Sequence, residues 1–466
     1  MAATAAAVAL VAASAATVAL PARADAQSRV ELEQFISSRT LPNGLEVIVV
    51  ENHGVPLVTV ELDVRNGAFT QTPEYAGLAH LYEHMFFRAN ATWPQPGAFL
   101  DRAAELGAVF NGTTQEERVN YYLTVPADSV EGAMRFLWAA TERPLFLPDE
   151  LAAERQVVIG EYDRAESSPF FDFQNEMTRA LYPGQFSRKN TIGDRRVIQT
   201  ATPAMMRTIQ SKYYVPNNSL LVVSGDVAPE RAFALAERIF GGWKRGADPF
   251  VADPIPPLPA LQKDEVVLME RPVSAVTVML QWQGPSVGKD RAATYAADVF
   301  SDVLNDPGSA FQQRLVDSGL WQGVGVNYYT LNQVGPITIS GQTTPDKLKP
   351  ALAALEAEIS RFGDPAYFSA DELAAAKAKR AVESAHGAER ASGLSHTIGF
   401  WWSVADVDYF MGYIDSMAGQ TAADLARYGS TYIVGKPRVT GLLLSPEARR
   451  QSGVTATELG RAGRVQ

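Results

Sequence analysis

Cysteine is absent from all 466 residues. That excludes disulfides, thiolate metal sites, cysteine nucleophiles and lipid attachment through a thiol, so any metal must be held by nitrogen and oxygen. Histidine is scarce: His53, His80, His84, His386 and His396 are the full set. Positive charge is in deficit, with 41 Lys and Arg against 52 Asp and Glu and a net charge of −11. A nucleic-acid partner, which selects a basic face, is therefore not expected. Past residues 2–20 no apolar run is long enough to cross a bilayer, so stable membrane insertion is not expected either. No Gly-rich phosphate loop is present, which leaves nucleotide-dependent chemistry without a footing.

Hydrophobic residues at 46% and charged residues at 20% describe a globular protein, and the length asks for two domains. Residues 1–26 read as an export signal. An Ala-rich run without charge precedes Pro21-Ala22-Arg23-Ala24-Asp25-Ala26, whose small residues fit cleavage before Gln27. No Lys or Arg precedes the apolar run, which departs from the usual signal. A retained anchor is the weaker reading, because Ala, Ser and Thr partition poorly into a bilayer. The expected location is the periplasm or the outside of the cell.

Period-two patterning predicts strands at Leu45–Val50, Leu57–Val64 and Val119–Val125. Helices are expected over Gly77–Phe87, Ala98–Glu105, from Pro126–Ser129 through Trp138, over Asp149–Arg164 and over Pro229–Phe240. Asp248–Pro259 carries prolines at 249, 254, 256, 257 and 259 and reads as an extended, stiff spacer. The remainder repeats the order: strand Val273–Trp282, helix Asp290–Leu304, strand Gly335–Ser340, then helices Lys347–Phe362 and Ala370–Gly387. Late in each half a Tyr213–Ser219 or Tyr432–Pro437 element leads into an apolar strand, Leu220–Ser224 or Val439–Leu444. An internal duplication fits this better than two unrelated units. The expected class is α+β: an N-terminal domain at 30–247, a linker at 248–262 and a homologous C-terminal domain at 263–452.

The chemistry concentrates in His80-Leu81-Tyr82-Glu83-His84. On a helix, positions i and i+4 share a face, so His80 and His84 can hold one metal ion, with Glu83 beside them as a base. Catalytic zinc usually has three protein ligands and one open position, and without cysteine the third is expected to be a carboxylate. The helix from Asp149 offers Glu150, Glu154, Glu161 and Asp163. Glu154 and Glu161, seven apart, face the same way, so one can ligate while the other orients a ligand. Spacing does not choose between them. His53, His386 and His396 read as ordinary surface or core histidines, and Trp401, Trp402, Tyr409 and Phe410 as core or an inter-subunit face.

Gly77-Leu78-Ala79 before the motif and Met85-Phe86-Phe87 after it belong to a wider pattern. With Asn111-Gly112-Thr113-Thr114, Glu154-Arg155-Gln156-Val157-Val158-Ile159-Gly160-Glu161 and Tyr214-Val215-Pro216-Asn217-Asn218, the chain resembles the pitrilysin/insulinase family of inverted zinc metallopeptidases. The resemblance covers most of the chain after the export signal. It implies two homologous α/β domains, each a mostly antiparallel sheet packed with helices. It also implies one Zn2+ held by His80, His84 and Glu161, with Glu83 and its supporting carboxylate Glu154 completing the catalytic set. Zinc would polarise the scissile carbonyl and acidify the attacking water, whose proton Glu83 would pass to the leaving amine. Peptide substrates would add as a strand along Asn111, Gly112, Thr113 and Thr114, with Gly112 where the family has alanine.

One departure stands out. Members that act alone or as homodimers carry an Arg and a Tyr about seven residues apart in the second domain. Here Gln322 stands at the tyrosine position and Leu315 or Val316 at the arginine position. Arg314 with Tyr328 or Tyr329 is the substitute pair to examine. The expectation is a zinc-bearing subunit, as in heterodimeric members of the family, whose homologous partner subunit supplies the missing pair. The competing reading is a non-catalytic structural or peptide-binding subunit.

Overall fold

The computed structural model describes residues 33–388 and 391–461, and the segment read as an export signal lies outside them. Eleven strands form two sheets among the described residues. The first contains β1 (Ile36–Thr40), β2 (Glu46–Glu51), β3 (Leu57–Val64), β4 (Val109–Thr114), β5 (Val119–Pro126) and β6 (Ser219–Gly225) in the order β1-β2-β6-β3-β5-β4. The second contains β7 (Glu265–Glu270), β8 (Val276–Gln283), β9 (Gly323–Tyr328), β10 (Pro336–Thr343) and β11 (Val439–Leu444) in the order β7-β11-β8-β10-β9. Each sheet has one parallel pair, β2 with β6 and β7 with β11, and is otherwise antiparallel. With β1 set aside, the two orders match strand for strand. The duplication read from the sequence is thus present in the topology.

Four helices position the site and join the halves: α1 (Leu78–Phe86), α2 (Pro148–Glu166), α3 (Pro169–Leu181) and α4 (Ala391–Val404). α1 buries Leu78, Leu81, Tyr82, Met85 and Phe86, a stripe with spacings of three and four that leaves His80, Glu83 and His84 on the other side. One face of the first sheet packs on α1 and the helices at Val130–Glu142 and Pro229–Phe240.

The opposite face of each sheet is covered by a helix from the other half. α3 crosses to the second sheet, where Phe173, Met177 and Leu181 meet Met279, Val439 and Leu443. α4 makes the reciprocal crossing, packing Leu394, Ile398 and Trp402 on Ile48, Val50, Leu220 and Val222. Close approach requires Gly399 there, since a Cβ would come within 2.3 Å of Asp63 Oδ1. Covering both faces explains why β6 and β11 are buried along their whole length and read as continuous apolar runs.

Among the elements that differ from the sequence reading, three bear on the architecture. The proline-rich segment opens with a short helix, Pro249–Ala252, because the Asp248 carboxylate accepts the Phe250 and Val251 amides and caps it. The helix after Ser129 runs on to Glu142, since Ala139–Thr141 continue its buried face. α3 was not read as an element, although Ser168 caps it and Pro169 occupies its first position.

Candidate metal centre

α1 starts without a side-chain cap at Gly77, whose φ of 93° is left-handed and whose amide donates to Gln71 Oε1 at 2.8 Å. From that anchored start, His80 and His84 fall one turn apart and face α2. Their rings meet edge to face with centroids 4.9 Å apart. Glu161 Oε2 lies 3.5 Å from His80 Nε2 and 3.7 Å from His84 Nε2. One ligand atom from each of the three lies within 4.8 Å of the others, the single cluster of this kind among the described residues.

This donor set fits zinc. Ligand atoms about 2.0–2.1 Å from a tetrahedral ion sit roughly 3.3–3.4 Å apart, and the two histidine–Glu161 separations are wider by only a few tenths of an ångström. Burial, and then the neighbouring His84, push the His80 imidazole down to about 4, so it is neutral and its lone pair is free for a metal. Burial works against protonated His84 too, but the hydrogen bond to Glu154 and the surrounding carboxylates outweigh it and raise that imidazole.

The four acids of α2 separate by what they touch. Glu154 is buried, and its Oε2 accepts from His84 Nδ1 at 3.1 Å, which turns Nε2 toward Glu161. Its other oxygen pairs with Arg88 at 2.5 Å. Glu150 accepts the Ala89 amide at 3.1 Å just past the end of α1. Asp163 pairs with Arg195 at 2.6 Å, away from the histidines. Arg88 has no signal in the sequence; it follows the end of α1, and only the packing of α1 on α2 reveals its partner.

Glu83 lies on the same open face. Burial raises its carboxyl above the ordinary range, partly offset by a 2.8 Å hydrogen bond from Thr114 Oγ1 to Oε2. Thr114 belongs to β4, the outer strand of the first sheet, which pairs only with β5 among the described residues. Asn111 and Thr113 face solvent, while Gly112 lies against Glu83: a Cβ at 112 would come within 2.9 Å of Glu83 Cγ. The strand edge, Glu83 and the His80–His84–Glu161 cluster thus form one surface.

The substitute pair does not assemble: Arg314 and Tyr328 are engaged elsewhere, and the Tyr329 side chain bonds with Glu116. Arg314 makes a two-pronged pair with Glu358 at 2.6 and 2.7 Å, and Tyr367 donates to the same carboxylate. Tyr328 is buried and donates to the Pro285 carbonyl. One further motif needs excluding. Gly284-Pro285-Ser286-Val287-Gly288 has the spacing of a serine-hydrolase elbow, but Ser286 is buried and its Oγ accepts the Val334 amide.

A family model described as "Insulinase (Peptidase family M16)" matches residues 46–193, and one described as "Peptidase M16 inactive domain" matches residues 200–380. An uncharacterized zinc protease of Rickettsia felis is 25% identical over 333 residues, which is 71% of this chain and 78% of that protein. The crystal structure of a protease from Helicobacter pylori aligns with a TM-score of 0.79 at 21% identity, covering 88% of this chain and 99% of that one. The periplasmic protease PqqL from Escherichia coli aligns at 0.75 and 18% identity, covering 92% of this chain but 50% of PqqL. With its metal half and its second half each matched by a model of the same peptidase group, the chain belongs to the insulinase family, peptidase family M16.

Proposed function

We propose that the chain is a zinc-dependent endopeptidase that hydrolyses short or unfolded peptides. The reading rests on one observation: His80, His84 and Glu161 converge within 4.8 Å, with Glu83 beside them on the same helix face. Similarity to proteins named zinc proteases supports the same chemistry.

His80, His84 and Glu161 hold the ion, and Glu154 orients His84. A bound zinc ion supplies Lewis-acid polarisation of the peptide carbonyl and acidifies the attacking water. Glu83 takes up the proton at Oε1, since Oε2 accepts from Thr114, and delivers it to the leaving amine. Its buried setting makes it a better proton acceptor than a solvated carboxylate. The free edge of β4 pairs with the main chain of an extended peptide, giving affinity with little sequence selectivity.

We assign the catalytic domain to residues 30–247 and its homologue to 263–452, joined by 248–262. The missing Arg/Tyr pair points to a homologous second subunit closing over the peptide, and the match to half of PqqL is consistent with two such units forming one enzyme. Export to the periplasm or beyond completes the proposal, supported by the Ala24-x-Ala26 site and by the periplasmic location named for PqqL.

The test is zinc content and peptide turnover for the wild type and Glu83→Gln. Retained zinc with turnover lost by at least about 100-fold supports the mechanism. No zinc in either protein sinks it. Zinc without turnover, even with a related partner subunit present, favours the peptide-binding reading.

A further inference from the structure

β4 and β5 are joined by the turn Gln115–Arg118, and two side chains of this turn reach into the second half. Glu117 is 2% exposed, and its two oxygens accept the Asn332 and Gln333 amides, each at 2.7 Å. Lys189 donates to the Gln333 and Val334 carbonyls at 2.5 and 3.0 Å, and Tyr182 adds a bond to Val334 at 3.1 Å. Val334 itself has a φ of 51°, a left-handed conformation that a β-branched residue adopts only when its surroundings impose it. The next residue of the turn, Arg118, donates to the His396 carbonyl of α4 at 2.7 Å. His396 in turn pairs with buried Glu61 at 2.7 Å, and Glu61 accepts from Asn120, the partner of Thr113 on β4.

These contacts are not needed to hold the halves together, because the exchanged helices α3 and α4 already do so with large apolar surfaces. A buried carboxylate is a costly way to add cohesion, whereas one that grips two amides at fixed positions imposes geometry. What it fixes is the tip of the hairpin whose outer strand carries Gly112 and Thr114 against Glu83.

We propose that Glu117 is a positioning residue for the peptide edge: by gripping the Asn332–Gln333 backbone it lets the second half set where β4 lies relative to Glu83. This rests on the reading of β4 as the docking strand. The second half, matched by a model described as inactive, then has a role in catalysis without touching substrate.

The experiment uses full-length, zinc-loaded chain carrying Glu83→Gln, so that a fluorescein-labelled unfolded peptide binds without being cut. Adding Glu117→Ala is expected to weaken peptide affinity at least fivefold and to speed amide exchange across Val109–Thr114 at least tenfold. Zinc content and exchange in β2 and β6 should stay unchanged, and Glu117→Gln, which keeps one of the two acceptors, should recover part of the loss. Unchanged affinity in a folded Glu117→Ala variant overturns the proposal. So does faster exchange spread evenly over both halves, which marks a purely cohesive role. If Glu117→Ala does not fold, Glu117→Gln, which leaves one of the two amides unheld, is read in its place, with an at least twofold loss of affinity expected and no loss overturning it. Failure of the parent chain to bind zinc or peptide counts against the peptidase reading instead.

Discussion

Glu83 owes its setting to two β4 residues, Gly112 and Thr114, as much as to its own helix. A Cβ at 112 would press on the Glu83 side chain, so Gly112→Val should displace the base and lower kcat at least tenfold with zinc content unchanged, measured by steady-state hydrolysis and metal analysis. Glu154→Ala removes the acceptor that turns His84. Zinc affinity should fall about 10–100-fold in competition with a chromogenic chelator. Glu117 gives a pH prediction. Burial pushes its carboxyl from 4.5 up to about 7, with Lys189 and Glu116 the charged groups facing it. A carboxyl raised by folding contributes stability that is whole below its unfolded value and lost as pH rises through the folded one. Thermal midpoints measured from pH 5 to 7.5 should therefore fall less steeply in Glu117→Gln than in the wild type. Lys189, pushed down to about 8 by burial, loses its proton mainly above this window. The grouping of His80, Glu83 and His84 was legible from spacing because a single helical turn brings them together. The partners of Thr114, Arg88 and Glu117 were not, because they lie 31 or more residues away in sequence.

Pro229–Phe240 was readable from its strong apolar periodicity, and α2 from Pro148 and Asp149 at its start. α3 carries local signals in Ser168, Pro169 and the Phe173–Met177–Leu181 spacing; what nothing local announces is the crossing that turns this apolar side to the other half's sheet. β4 carries Val-Phe-Asn-Gly-Thr-Thr, with little apolar alternation, because an outer strand with one face open to solvent needs none. Its strand character comes from pairing with β5. Phe173 of α3 is fully buried against the second sheet. Phe173→Ala should destabilise the protein by roughly 3–5 kcal/mol, read from denaturant unfolding, and leave the metal ligands in place.

Across the whole molecule the first half gathers His80, His84 and Glu161 into one cluster, whereas the Arg/Tyr pair on which the proposed partner rests is missing from the second. Purified chain alone should hydrolyse unfolded peptides at least tenfold less efficiently than the chain mixed with a related subunit carrying the Arg/Tyr pair, compared by kcat/KM. Equal efficiency without a partner would show that the pair is dispensable here. The duplicated order of strands was visible in the sequence because both halves reuse the same punctuation. The mutual lending of α3 and α4 was not, since it exists only in three dimensions. That lending bears on proteolysis and on gene architecture. A nick within residues 253–262 would break the polypeptide yet release nothing, because each fragment would keep a helix threaded beneath its neighbour's sheet. Made separately, either fragment would present a bare greasy sheet face to water, so two genes split at this point would have to be translated together to yield anything soluble.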